Sequence, residues 1–233
     1  MSFDSPLLEQ PPWSALTTAH AAFALGNGLA RRYRPDFAPM AGVREVSEAC
    51  LQGLAALMAP GDVVSVFGAK PVQAGGDLAV VALKTVEQMV YRHRTAPSDA
   101  AAAAAAAPVL LSAADVPAML ELAELAQPGP FAPRTNELGC YLGIRDGGRL
   151  VAMAGERMRL DGFTEISAVC THPDHRGRGL AAVLVRALMQ SILQRGEVPF
   201  LHVFSDNAAA AALYAKLGFA HRRSLSVTVL RRK

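Results

Sequence analysis

Residues 169–181 read VCTHPDHRGRGLA, and this stretch decides the fold prediction because a glycine-rich turn separates a strand from a helix. The apolar and β-branched residues from Phe163 to Thr171 are typical of a strand. The apolar run from Gly179 to Gln194 is long enough to predict a helix. The sequence therefore predicts a strand, a short polar loop and a helix that begins at the turn.

The turn has the composition of an anion site. Gly177 and Gly179 permit a tight bend and a close approach of the backbone to a ligand. The first amide groups of a helix have no partner inside it, and together with the helix dipole they suit a diphosphate. Arg176 and Arg178 add positive charge beside them.

Two known phosphate-binding motifs do not account for this turn. Gly177, Gly179 and Ala182 formally match the dinucleotide fingerprint G-x-G-x-x-G/A. That fingerprint places its glycines directly at a strand end and an acid at the end of the next strand. Here a polar loop over 171–176 intervenes, and Glu197 precedes the next strand. The P-loop motif G-x-x-x-x-G-K-[ST] does not occur.

A second motif follows the helix, because residues 207–219 read NAAAAALYAKLGF. The pattern Arg176-x-x-Gly179-x-Ala181 and this run resemble the two signatures of the GNAT superfamily of N-acyltransferases, in the same order. The resemblance covers Val109 to about Arg232. The run from Glu165 to Pro173 also resembles the branch that includes glycine-N-acyltransferase-like enzymes.

The resemblance implies a fold and an activity. The fold is α/β, with a mixed, mostly antiparallel central sheet flanked by helices, as in acyl-CoA N-acyltransferases. The activity is transfer of an acetyl group from acetyl-CoA to a primary amine by direct attack in a ternary complex. A non-catalytic acyl-CoA-binding or interaction module would have the same turn and stays open as the alternative. The expected partners are an amine-bearing small molecule or peptide, with a homodimer left open, and no metal is expected.

The resemblance also implies cofactor contacts. The pantetheine arm is expected to take backbone hydrogen bonds beside the strand end, and the diphosphate is expected at the turn. The expected cofactor-binding residues are Ala168, Val169, Cys170, Thr171, Arg176, Gly177, Arg178, Gly179, Leu180, Ala181, Asn207 and Tyr214.

Three residues are candidates for catalysis. The amide of Val169 is expected to hold the oxyanion, and the Tyr214 phenol to protonate the departing sulfur. Glu165 is the candidate base, because in a strand it shares a face with Ser167, Val169 and Thr171, and partial burial would raise its affinity for protons. The structural alternatives are a packed core tyrosine, an exposed strand glutamate and, for Asn207, a helix N-cap. If Glu165 is not the base, a water relay takes its place.

The remaining polar candidates favour structural interpretations. His172 and His175 form an H-x-x-H pair, but Pro173 breaks the helix that a metal-binding pair would use, so loop residues beside the cofactor are expected. Cys170 as an acyl-carrying nucleophile is disfavoured, because its side chain should point away from Val169. His202 is expected to line the sheet. No C-x-x-C pair occurs among the 3 cysteines.

Composition limits the other classes of function. The chain has 233 residues, 52% of them hydrophobic, which supports an ordered core. A net charge of +3 is too small to indicate a nucleic-acid protein. The start of the chain lacks a basic region, and no long apolar run occurs, so neither a signal peptide nor a membrane helix is expected. A cytoplasmic location, with no membrane partner, follows as the expectation.

An alanine run divides the chain. Residues 98–108 are interpreted as an Ala-rich linker. Residues 1–97 form an α/β segment of unknown role, with helices expected in 13–33 and 43–58, and this segment is a candidate degenerate GNAT-like half. Residues 109–233 form the acetyltransferase domain, with the element order β-α-β-β-β-α-β-α-β.

Overall fold

The computed structural model describes residues 4–26, 28–93, 95 and 107–233. The linker predicted at 98–108 therefore lies outside the described residues except for Ala107 and Pro108. The helices are α1 (Pro11–Thr17), α2 (Glu48–Ala55), α3 (Val116–Ala126), α4 (Leu180–Gln194) and α5 (Ala208–Lys216). The strands are β1 (Ala24–Gly26), β2 (Ala30–Tyr33), β3 (Met40–Val43), β4 (Val63–Gly68), β5 (Leu78–Tyr91), β6 (Val109–Leu110), β7 (Tyr141–Asp146), β8 (Arg149–Leu160), β9 (Phe163–Thr171), β10 (Val198–Phe204) and β11 (Phe219–Arg232).

The strands form one sheet in the order β1-β2-β3-β4-β11-β5-β10-β9-β8-β7-β6. Two neighbouring pairs are parallel, β3 with β4 and β9 with β10, and the other pairs are antiparallel. The predicted fold class, a mixed and mostly antiparallel sheet flanked by helices, is confirmed.

The helices cover both faces of the sheet. The apolar side of α4 packs on one face through residues such as Leu184 and Leu188, together with Tyr214 of α5. On the opposite face, α3 packs through Met119 and Leu122. The same opposite face is lined by an apolar cluster that includes Leu16 of α1.

The first segment differs locally from the sequence prediction. Helix was expected through 13–33, but α1 ends at Thr17, and 24–33 contributes the strands β1 and β2. Helix was also expected from Val43, but α2 begins at Glu48 because the Ser47 side chain caps it by accepting from the Cys50 amide. Alanine and leucine occur in both the helices and the strands of this segment, so they do not distinguish the two. The buried position of β2 in the sheet explains why residues 30–33 form a strand.

The two segments share the sheet through their last strands. β5, from the first segment, pairs with β10, and β11, from the second segment, pairs with β4. β5 and β11 also pair with each other along most of their length. Each segment further contains a strand, helix and parallel strand in sequence, β3-α2-β4 and β9-α4-β10. The strand order is therefore nearly symmetric about the β11–β5 pair.

Two features of β9 shape the space beside α4. β9 pairs with β10 only from Phe163 to Glu165, so the two strands separate beyond that point. The pairing of β9 with β8 shifts by one residue between Ser167 and Cys170, which marks a β-bulge. Ala168, inside the bulge, has φ of 51°. The bulge and the separation together open a cleft at the carboxyl end of β9.

Candidate active site

The turn before α4 borders a cavity of about 530 Å³. The walls come from the end of β9, the turn, the first residues of α4, and α5. All of the predicted cofactor-binding residues line this cavity except Ala168, which lines the adjoining one. Sequence motifs that lie about 30 residues apart in the chain thus meet around one space.

The turn has the backbone that its glycines predict. Gly177 and Gly179 have φ of 75° and 76°, in the left-handed region that glycine adopts at little cost. A Cβ atom at either position would meet no atom within 4 Å, so both face open space. The first helical bond of α4 runs from the Val183 amide to the Gly179 carbonyl, at 3.2 Å. Within the described part of the chain, the amides of 177–182 have no recorded acceptor.

Helix α5 supplies the other side of the cavity. Asn207 caps the helix, because its Oδ1 accepts from the Ala210 amide at 3.1 Å, and the residue also lines the cavity. Tyr214 is buried and packs edge-on against Phe219. Burial, followed by the nearby Cys170, raises the pKa of Tyr214 to about 12. The phenol therefore keeps its proton at neutral pH.

Glu165 does not have the environment expected of a base. Its side chain is fully buried, and both carboxylate oxygens accept from the Arg157 guanidinium, at 2.7 and 2.8 Å. His202 Nδ1 lies 2.8 Å from the same carboxylate. Burial alone would raise the pKa of Glu165, but Arg157 and His202 outweigh it and lower the pKa to about 2. The expected rise in its affinity for protons is therefore wrong.

The β-bulge also places Glu165 away from Val169. Ile166 packs in the cluster under α4, whereas Ala168 and Cys170 pack in the cluster under α3. In a regular strand these alternate residues would share one face, so the bulge reverses the alternation. Val169 consequently packs towards α4, on the other face from Glu165. The predicted shared face of Glu165 and Val169 is thus a second error, and its cause is the bulge.

A second cavity of about 180 Å³ adjoins the first. Both are lined by Gln127, Pro128, Val169, Asn207, Ala210 and Tyr214. The far wall comes from the first segment, through Met40 of β3, Phe67 of β4, and Lys84 and Val86 of β5. Arg157 and His202 lie on its floor. The first segment therefore forms a wall of the second cavity, which Tyr214 also lines.

His202 and Arg157 are polar residues of this floor, and their position at the cavity was not predicted from the sequence. His202 is nearly fully buried, with Gln88 of β5 on its Nε2 at 3.1 Å. A polar residue in the middle of each buried strand was the signal available in the sequence. The hydrogen-bond partners of these residues could not be predicted from that signal. Gln88 reaches His202 because β5, the last strand of the first segment, pairs with β10 of the second segment.

The other candidates have structural environments. His172 Nδ1 accepts from the Asp174 amide, and His175 Nε2 lies 3.1 Å from Asp146. In the described residues, no group of three potential metal ligands occurs. Burial raises the pKa of the Cys170 thiol to about 12, which disfavours a thiolate nucleophile. No helix in the described ranges is long and apolar enough to cross a membrane.

Comparisons with known proteins agree with this geometry. The FR47-like protein family matches residues 141–227, which include the turn and α5. A solved structure from Novosphingobium aromaticivorans, assigned to the GNAT family of acetyltransferases, is 36% identical and superposes with a TM-score of 0.89. The match covers 98% of this chain and 100% of that one. This chain belongs to the GNAT family. The predicted family and acyltransferase class are confirmed at that level.

Curated relatives of this GNAT protein match less than half of its length. The [ribosomal protein bS18]-alanine N-acetyltransferase of Salmonella typhimurium is 34% identical over 116 residues, which is 47% of this chain and 78% of that protein. The N-alpha-acetyltransferase RimI of Mycobacterium tuberculosis is 39% identical over 99 residues, or 40% of this chain. That match spans only 61% of the length of RimI.

Proposed function

We propose that this GNAT protein transfers an acetyl group from acetyl-CoA to a primary amine by direct attack in a ternary complex. The observation that carries the proposal is the pair of joined cavities. The glycine turn lines the first cavity and not the second, and Tyr214 lines both. The relatives support it, since two of them are N-acetyltransferases by name.

The donor is held mostly by backbone groups. The amides of 177–182 point a row of N–H donors and the positive end of α4 at the diphosphate. Arg176 and Arg178 line the same cavity and add charge-assisted contacts. The pantetheine arm occupies the cleft where β9 has separated from β10, because the edge of β9 carries unpaired backbone groups there.

The chemistry needs few side chains. The amine nitrogen bonds to the thioester carbon, the Val169 amide stabilises the resulting oxyanion, and the carbon–sulfur bond then breaks. Tyr214 gives its phenolic proton to the departing thiolate, and water returns a proton to the phenol. Glu165 is not given the role of base, since its carboxylate is occupied by Arg157. The amine loses its proton to water, which is the alternative to Glu165 as the base.

The first segment, in this proposal, is a degenerate copy of the second. The repeated strand–helix–strand order and the exchange of β5 and β11 support it. The loop before α2, residues 44–47, reads REVS and has neither glycine nor the R-x-x-G-x-A pattern. We assign acetyl-CoA binding to the second segment. The first segment supplies a wall of the second cavity, which we call the acceptor cavity. A cytoplasmic location, a homodimer and the glycine-N-acyltransferase-like branch stay predictions.

Two measurements test the proposed function together. Calorimetry with acetyl-CoA reports binding, and release of free thiol in the presence of primary amines reports transfer. Binding with amine-dependent thiol release supports the proposal. Binding without release from any amine favours the acyl-CoA-binding module, and absence of binding contradicts both.

A further inference from the structure

The acceptor cavity has few side chains that could accept a proton from an amine. Most of its side chains are apolar, including Met40, Phe67, Val86, Val227 and Val229. Among the described residues that line it, none is an aspartate or a glutamate. The titratable and charged groups that face it are Lys84 from β5, Arg157 from β8, His202 from β10 and Tyr214 from α5.

The carboxylate that is bonded to the cavity floor offers no compensation for a cationic substrate. Glu165 of β9 lies behind the floor, fully buried, with both oxygens bonded to Arg157. The pair is neutral as a unit, so it offers little attraction to a second positive charge. Lys84 lies with its Nζ 5.1 Å from the centre of the Phe204 ring and adds positive charge at the cavity. The net charge around the cavity therefore opposes polycationic acceptors.

His202 is engaged at both ring nitrogens. The Gln88 Oε1 accepts from Arg222, at 2.9 Å, which fixes the orientation of the Gln88 amide. Gln88 Nε2 then donates one hydrogen to the Leu8 carbonyl, at 3.0 Å, and the other to His202 Nε2, at 3.1 Å. His202 Nε2 is thus an acceptor, and Nδ1 carries the proton that it donates to Glu165. No free imidazole nitrogen faces the amine.

We propose that the acceptor is a compact, weakly basic monoamine with an apolar body, which reaches the thioester already neutral because none of the described side chains that line the cavity serves as its base. This inference rests on the proposed function and names its substrate class. The α-amine of an amino-acid amide has the required chemistry. The cavity of about 180 Å³ suits such a molecule, since an apolar protein cavity of about 150 Å³ can hold benzene.

The basicity of the amine has a large effect when the protein supplies no base. An α-amine with a pKa of about 8 is roughly one-fifth neutral at pH 7.4, whereas an alkyl amine near pKa 10.4 is only about 0.1% neutral. The lower nucleophilicity of the weaker base offsets part of this advantage. We expect a preference of about tenfold or more for the weakly basic amine.

The test compares leucinamide, isoamylamine and spermidine in acetyl-CoA thiol-release assays from pH 6.5 to 10. The first two share a branched apolar body and differ in basicity, and the third is a polycation. We expect kcat/KM at pH 7.4 to be about tenfold or more higher for leucinamide than for isoamylamine. The gap should close as the pH rises, and spermidine should be the poorest acceptor. Lys84→Glu should improve spermidine relative to leucinamide, because Lys84 is exposed and its replacement reverses the local charge.

Several results would overturn the inference and leave acetyl transfer intact. A preference for spermidine would show that the cavity attracts polycations. An isoamylamine rate that stays flat from pH 6.5 to 8.5 would reveal a base in the protein. Transfer to another primary amine, with none to leucinamide, would exclude the proposed class. Failure to bind acetyl-CoA would instead contradict the proposed function itself.

Discussion

At the residue scale, Tyr214 is where the two cavities meet, and the sequence predicted its role from the L-Y-x-x-L-G-F pattern. The same motif predicted Asn207, which caps α5 and also lines the cavity. Its contact with the cofactor stays a prediction. Burial and then the nearby Cys170 raise the pKa of Tyr214 to about 12, so the phenol keeps the proton that the proposed mechanism gives to the thiolate.

Tyr214→Phe removes that proton and little else. We expect turnover to fall by about 10²–10⁴, with a smaller change in acetyl-CoA affinity. Tyr141→Phe is the matched control, because Tyr141 carries another buried hydroxyl, with no recorded partner, under α3 and away from both cavities. Equal turnover in the Tyr214→Phe variant and the wild type, measured by thiol release, would remove Tyr214 from the mechanism.

Glu165 is the residue for which sequence reasoning failed, and the failure has two causes. Arg157 and His202 lower its pKa, and the bulge at Ala168 turns Val169 to the other face. An alanine with φ of 51° has no sequence signal, since alanine rarely adopts that conformation. Without the bulge, Glu165 would share a face with Val169. With it, the carboxylate lies on the other face and pairs with Arg157 and His202.

Glu165→Gln should therefore affect stability through the buried Arg157. Removing one partner of a buried pair costs about 3–5 kcal/mol, because the other charge stays buried without compensation. The lowered pKa of Glu165, about 2 instead of 4.5, has a matching pH effect. Its stabilisation is present above about pH 4.5 and is lost as the pH falls towards 2. Urea unfolding from pH 2 to 7 measures both effects, and a variant with the wild-type acid profile would contradict this assignment.

At the scale of elements, the strand–turn–helix unit could be predicted from sequence nearly in full. β9 has the predicted bounds, and α4 begins within one residue of its predicted start, because an apolar run and paired glycines are strong local signals. The separation of β9 from β10 could not be predicted, because it depends on where their pairing ends and not on either strand alone.

The turn itself can be tested by a matched pair of substitutions. Gly179 and Gly196 flank α4, both with φ of 76° and open space at the Cβ position, but only Gly179 lines the cavity. Alanine at either position should cost about 1–2 kcal/mol of stability. We expect only Gly179→Ala to raise the Kd for acetyl-CoA, by about tenfold or more, as a charge-assisted backbone contact is lost. Calorimetry on both variants measures this, and equal affinities would contradict the turn as the diphosphate site.

At the scale of the whole molecule, the exchange of last strands makes the two segments one sheet. The alanine run predicts where the chain passes between segments, and that boundary stays a prediction. Nothing in the run indicates that β5 returns to pair with β10. Long-range pairing of this kind has no local signature. The exchange also explains why the first segment lines the acceptor cavity, which its own sequence did not indicate.

The proposal that the first segment is a degenerate copy predicts a stoichiometry. The loop before α2 lacks glycine and carries Glu45, followed by Glu48 in the first turn of the helix, so it opposes a diphosphate. Calorimetry should therefore give one acetyl-CoA per chain. Two equivalent sites per chain would show that both copies are functional.

The central claim is that the backbone around Gly177 and Gly179 holds the diphosphate of coenzyme A, and a crystal structure with coenzyme A tests it most directly. We expect diphosphate oxygens within hydrogen-bond distance of the amides of 177–182, and the thiol end in the cleft between β9 and β10 near Tyr214. Coenzyme A bound elsewhere on the protein, with this turn left empty, would contradict the account.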